Sequence, residues 1–144
     1  MPRPSVWLVR AALLQLVAGA ALGSLLLAAK GAPHALPGWV AGLWPLHGEI
    51  MLLGWMAQLA LGVAYWILPR HPEPPVRGPE TPVKLAAVLI NAGVLGAGLG
   101  PLIHSPELVV AGRLAEAAAV ILVVGNVGPR IKEFGRGRLA ARSP

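Results

Sequence analysis

Apolar residues in this chain follow neither the alternation of a half-buried strand nor the three-and-four spacing of an amphipathic helix. They run on. Four stretches, about 6–29, 42–68, 83–103 and 108–127, are apolar almost throughout. At 1.5 Å of rise per residue, each is long enough to cross a hydrocarbon layer of roughly 30 Å. Lipid offers the backbone no hydrogen-bond partners, so each crossing segment must be a helix. The pattern predicts an all-α integral membrane protein, a single four-helix bundle without a second domain. The first stretch is longer than the apolar core of a cleaved leader, which predicts a retained helix.

Composition agrees. Hydrophobic residues make up 56% of the 144 and charged residues 12%, against roughly 25% charged in ordinary soluble domains. A soluble chain this short could not bury so much apolar surface. Cys is absent, which excludes disulfides, iron–sulfur clusters, thiolate-ligated or covalently attached haem, and Cys-based zinc sites.

The net charge of +6 suggests nucleic acid until the charges are placed. Arg3 and Arg10 sit at the N-terminus, Arg70, Arg77 and Lys84 flank the second loop, and Arg130, Lys132, Arg136, Arg138 and Arg142 lie in a tail over 128–144. Those ten of the 12 basic residues fall on one side of a four-helix map, leaving Lys30 opposite and Arg113 within helix four. The positive-inside rule then puts both termini in the cytoplasm. The expected setting is the inner membrane of a prokaryote, crossed several times, with the basic tail as topology signal and lipid anchor and no nucleic-acid role. Trp39 and Trp44 at one interface, and Trp7, Tyr65 and Trp66 at the other, form the expected aromatic belts. The loop 69–82 holds six prolines and reads as stiff and extended.

Small residues recur at four-residue spacing: Gly19 and Gly23 in helix one, Ala92, Gly96 and Gly100 in helix three, Ala111, Ala115 and Ala119 in helix four. Such stripes let helices approach closely in lipid. They serve packing within the bundle, or the seam of a homo-oligomer or partner subunit.

Ionisable residues inside a membrane are costly and mark candidate function. His47 and Glu49 open helix two after Pro45, His104 ends helix three, Arg113 and Glu116 sit in the first half of helix four, and His34 lies in the first loop. All fall toward the outer side. Arg113 and Glu116, three apart, share a helix face; they neutralise each other, or Arg113 binds an anionic cofactor group or a partner carboxylate. A stripe on helix two runs through His47, Met51, Gly54, Gln58, Gly62 and Tyr65. Its glycines admit a flat molecule or another helix. His47 on that stripe is a hydrogen-bonded structural residue or a haem-iron ligand, and spacing alone does not separate the two. A zinc site from His34, His47 and His104 has no supporting ligand spacing.

The segment from His47 through Glu49, Gly54, Trp55, Gly62 and Tyr65 to Pro69 and Arg70 resembles helix two of subunit I in the haem–copper oxidase superfamily, especially C-family oxidases and nitric oxide reductases. It is closer still to small four-helix proteins described as subunit I-like, whose motif is H-x-H-x-x-x-x-G-W, then G-x-x-Y and a closing P-R. Arg113-Leu-Ala-Glu116 and the Ala-rich run to Asn126 are similar to the last helix of that small family.

The resemblance implies that His47 is an axial ligand of haem b. The second ligand would be His104, Met51 or the His47 of another copy, with Gly54 and Gly62 beside the ring. Arg113, next to Glu116, would meet a propionate. Glu49 stands where the motif has its second His, and the later helices that carry copper and second-haem ligands in the full subunit have no counterpart. The chain is therefore not expected to be a complete redox enzyme by itself. Three readings follow: a haem-binding protein of respiratory electron transfer; a non-catalytic accessory subunit of a respiratory oxidase or nitric oxide reductase, without its own cofactor; and a small transporter or quinone-binding protein using Glu49, Arg113 and Glu116.

Overall fold

The computed structural model describes residues 1–32, 34–71 and 74–140, with 132–140 as backbone. Among these residues the protein is all-helical. Helix α1 spans Arg3–Gly31. A short 3-10 turn, Gly38–Leu43, leads into α2, Trp44–Glu49. The same rod continues as a π-wound segment, Ile50–Ala57, and then as α3, Gln58–Ile67. Helix α4 spans Thr81–Leu99 and α5 spans Pro106–Ala140. Four spans, Arg3–Gly31, Gly38–Ile67, Thr81–Leu99 and Pro106–Ile131, are long and apolar enough to cross a membrane. They match the four apolar runs of the sequence.

The boundaries have local causes. Pro4, Pro45, Pro82 and Pro106 lie in the first turns of their helices, where a missing N–H costs nothing. Helix four differs most from its expected extent. The sequence reading ended it at 127, before Pro129, yet α5 continues through Pro129 to Ala140. A helix-interior proline clashes with the carbonyl four residues earlier. Here that residue is Gly125, which is exposed.

Successive spans run antiparallel. Along α1, Gln15 meets Gly54 and Leu8 meets Gly62, one chain rising as the other falls. The tightest seam joins α4 and α5. A Cβ on Gly93 would lie 2.8 Å from the Gly112 carbonyl, and one on Gly112 would strike the backbone nitrogen of Ala97. The closest approach thus uses Gly93, Ala97 and Gly112, whereas Ala92 and Ala111 are exposed. Gly19 and Gly23 also face inward, toward Met51 and His47.

Two apolar clusters fill the bundle. At the end holding the start of α1 and the 69–80 loop, termed here the terminal end, Leu8, Tyr65, Ile90 and Val123 meet. At the opposite, distal end the cluster includes Leu26, Leu43, Ile50 and Val94. Large apolar side chains point outward all round, with Leu14 at 72%, Leu27 at 71% and Ile121 at 69% exposed. In water that surface would be an aggregation hazard; in lipid it is the solvated face.

Candidate functional site

The distal half of the bundle holds the polar side chains singled out above, and the structure divides them into two sites. The first is His47. Its Nδ1 lies 3.0 Å from the carbonyl oxygen of Gly19 on α1. A carbonyl only accepts, so Nδ1 donates to it, and in the neutral form of the ring that tautomer leaves the lone pair on Nε2. The approach depends on Gly23, where a Cβ would sit 2.8 Å from the imidazole Cε1. The Trp44 ring contacts the imidazole edge-on, with centroids 5.9 Å apart. His47 lines a groove of about 530 Å³ between the ends of α1 and α2, with Gly23, Leu26, Ala41, Trp44 and Lys30 among its walls. Small-molecule sites range over roughly 300–1,000 Å³ and are mostly apolar with a few placed polar groups. Here those groups are one imidazole and one ammonium.

The second site lies among α2, α4 and α5. Arg113 of α5 forms a two-pronged pair with Glu49, Nη1 to Oε2 at 2.8 Å and Nη2 to Oε1 at 2.5 Å. Its Nη1 also donates to Oε2 of Glu116 at 3.2 Å. The planar guanidinium matches the carboxylate fork, which a lysine could not do. Glu116 packs its Cγ over Gly93 of α4, so the glycine seam brings the carboxylate inside the bundle. Glu49 is 8% and Glu116 5% exposed, and Oε1 of Glu116 has no hydrogen-bond partner. The Arg113 side chain is half exposed.

The expected site residues are thus only partly brought together. Met51 lies on helix one at Gly19. The Cβ space of Gly54 is filled by Gln15, with its Cδ 2.9 Å away, and that of Gly62 by Leu8, with its Cβ 2.9 Å away. These two glycines admit helix one, not an open face. His104 sits exposed in the turn after α4, at φ 56°. Arg113 is committed to Glu49 and Glu116, and neither it nor Met51 nor His104 lines the His47 groove. Among the described residues no cluster of three or more His, Cys, Asp or Glu side chains is arranged to hold a metal ion.

Other polar residues matter more than the sequence indicated. Gln15 donates to Asn91 of α4 at 3.2 Å, and Asn91 donates to the Ala87 carbonyl at 2.7 Å. This ties α1 to α4 at mid-depth. Gln58 is fully buried, with neither amide atom hydrogen-bonded within the protein.

Arg130 read as part of the basic tail. It is 1% exposed, and its guanidinium donates to the carbonyls of Pro69 at 2.6 Å, Leu68 at 2.8 Å and Tyr65 at 3.2 Å. Those carbonyls lie at the C-terminal end of α3, where helices leave acceptors unsatisfied and carry partial negative charge. The cation also lies 5.4 Å from the Tyr65 ring centre. The helical phase of Glu116, Val123 and Val127 could have placed Arg130 on the inner face, had α5 been continued past Pro129.

Compared with known proteins, the chain matches no family model, no curated protein and no solved structure.

Proposed function

We propose that this protein is a multi-pass membrane protein that binds one haem b through His47, with a role in respiratory electron transfer. One observation carries the reading: the Nδ1–H of His47 is held by the Gly19 carbonyl, which leaves Nε2 with its lone pair on a residue that lines an apolar groove. Metal-ligating histidines commonly donate their other N–H to a backbone carbonyl, which fixes the tautomer and orients the ring. The remaining walls suit the group. Leu26, Ala41 and Trp44 would contact the macrocycle, and Lys30 would supply a cation for one of its carboxylates. Bound there, haem would supply one-electron transfer. His47 would hold the iron, and the apolar walls would exclude water.

Arg113 is not free for a propionate, because Glu49 occupies its fork. Any further protein donor to the iron would come from another copy's His47 or from a partner subunit. The chain is thus one part of an electron-transfer assembly rather than a complete reductase. In this reading the tryptophan-bearing distal end faces outward, the termini face the cytoplasm, and the membrane is the inner membrane of a prokaryote.

The test is the absorption spectrum of protein purified from haem-supplemented cells. A Soret band with a b-type pyridine haemochrome is expected. Its absence from folded protein would overturn the reading.

A second reading is a cofactor-free accessory subunit of an oxidase or nitric oxide reductase. The filling of the Gly54 and Gly62 spaces by Gln15 and Leu8 favours it, since the stripe then serves packing alone. Co-purification with a haem-bearing catalytic subunit, while this chain lacks a haem of its own, would select it.

A further inference from the structure

The terminal end of the bundle gathers positive charge that no described residue neutralises. A cleft of about 330 Å³ opens there between the start of α1, the last turn of α3 and the 74–80 loop, with Pro2, Tyr65, Pro74, Pro75, Arg77 and Glu80 among its walls. The charged side chains acting on Tyr65 are Glu80, Arg130, Arg77 and Lys84. Glu80 and Lys84 pair with each other at 2.8 Å, so those two charges cancel. Arg77 and Arg130 are left. Among the described residues neither has a carboxylate within ion-pair distance, and the two guanidiniums lie within electrostatic reach of each other. Arg130 meets backbone carbonyls, which occupy its N–H groups without cancelling its charge.

The donors around this charge are also incomplete. Tyr65 is 0% exposed and lines the cleft, yet its hydroxyl has no hydrogen-bond partner. Nε of Arg77 and Nη1 of Arg130 have none either. Ser5 stands one turn before Leu8, which packs on Gly62, so it is level with Tyr65, and its buried Oγ is unpartnered too. Buried polar groups nearly always find partners. Guanidinium N–H groups only donate, and hydroxyls can donate as well, so the missing partner is an acceptor. Together with the uncancelled charge, that describes an anion with several oxygens.

We propose that this cleft binds the phosphate of an anionic phospholipid, held by Arg77 and the Tyr65 hydroxyl, with Arg130 adding charge from behind the Tyr65 ring. Depth selects the lipid. Tyr65 lies in the last turn of a membrane-length span ending at Ile67, and the exposed Trp7 and Trp66 mark the same level. Aromatic belts of this kind sit at headgroup height, and basic pockets between membrane helices hold anionic headgroups. The guanidinium of Arg130 lies 5.4 Å from the Tyr65 ring centre, close enough for its charge to act on the cleft. Glu80 is taken by Lys84, so it is not free to receive the ammonium of a zwitterionic headgroup. The site lies at the opposite end from the His47 groove. It rests on the membrane reading alone and is tested on protein without haem.

The test is native mass spectrometry of the full chain in detergent, offered phosphatidylglycerol and phosphatidylcholine with matched acyl chains, and inorganic phosphate in a separate arm. Retention of phosphatidylglycerol over phosphatidylcholine by about fivefold is expected. Arg77→Gln removes the preference. Tyr65→Phe keeps the ring that Arg130 contacts and deletes only the hydroxyl, and it weakens phosphatidylglycerol binding about tenfold, as one lost hydrogen bond to an anion should. Arg10→Gln makes the same charge change at an exposed position on α1 and leaves binding unchanged. Equal retention of the two lipids overturns the proposal. So does undiminished phosphatidylglycerol binding in Tyr65→Phe, whatever the fate of Arg77→Gln. Equal losses in Arg10→Gln and Arg77→Gln overturn it in favour of diffuse surface charge. Inorganic phosphate bound through Arg77 and Tyr65 with no lipid retained overturns the lipid assignment and gives the cleft to a soluble anion.

Discussion

At the residue scale, the deciding feature is which partner each polar side chain has found. His47 and Glu49 are two apart in sequence and belong to different sites, one on α1 and one on α5. The sequence showed that both are expensive in a membrane. It did not show the partners, because Gly19 and Arg113 lie 28 and 64 residues away. Arg130 shows the same limit. Its place in a basic run argued for the surface, while three backbone carbonyls and the Tyr65 ring hold it in the core. Replacing it with Met leaves those carbonyls without their donor and is expected to destabilise the protein by about 2–4 kcal/mol. Arg130→Lys should recover little of this, because an ammonium cannot reproduce the fork. Unfolding in mixed detergent, followed by circular dichroism, checks both. Full stability in Arg130→Lys would mean that charge alone suffices there.

At the element scale, the four helices were legible and their internal details were not. Long apolar runs fix spans because lipid imposes one solution on the backbone. The π-wound stretch Ile50–Ala57 was not legible, since reading a stripe at 3.6 residues per turn presumes uniform winding. The stripe nevertheless kept its glycines against α1, at Gly54 and Gly62. The α4–α5 seam makes a sharp prediction. Gly112→Ala puts a methyl into the Ala97 backbone and should cost about 1–3 kcal/mol. Gly125→Ala, on the same helix with open space, should be neutral or stabilising by up to about 1 kcal/mol. Thermal melts of the two variants in one detergent compare them directly, and equal losses would contradict the seam.

At the scale of the whole molecule, a four-helix bundle carries the proposed topology and the proposed haem site. The absence of Cys makes topology directly testable. Ala35→Cys in the distal turn should react with a membrane-impermeant maleimide on intact cells, and Val76→Cys in the terminal-end loop only after lysis. The reverse pattern would invert the proposed orientation. The groove beside His47 was only half legible in the sequence. The His-led motif pointed to His47, but the proposed ring-facing glycines are closed by Gln15 and Leu8, and the apolar groove lies beside Gly23 instead. A stripe on one helix cannot say which side its neighbour covers. The most direct measurement is haem stoichiometry by pyridine haemochrome, made side by side on the wild type, His47→Ala and His104→Ala. Haem b bound to the wild type and to His104→Ala, and lost at least tenfold from His47→Ala, is the predicted result. Folded wild-type protein without haem, or haem retained in His47→Ala, would contradict the account.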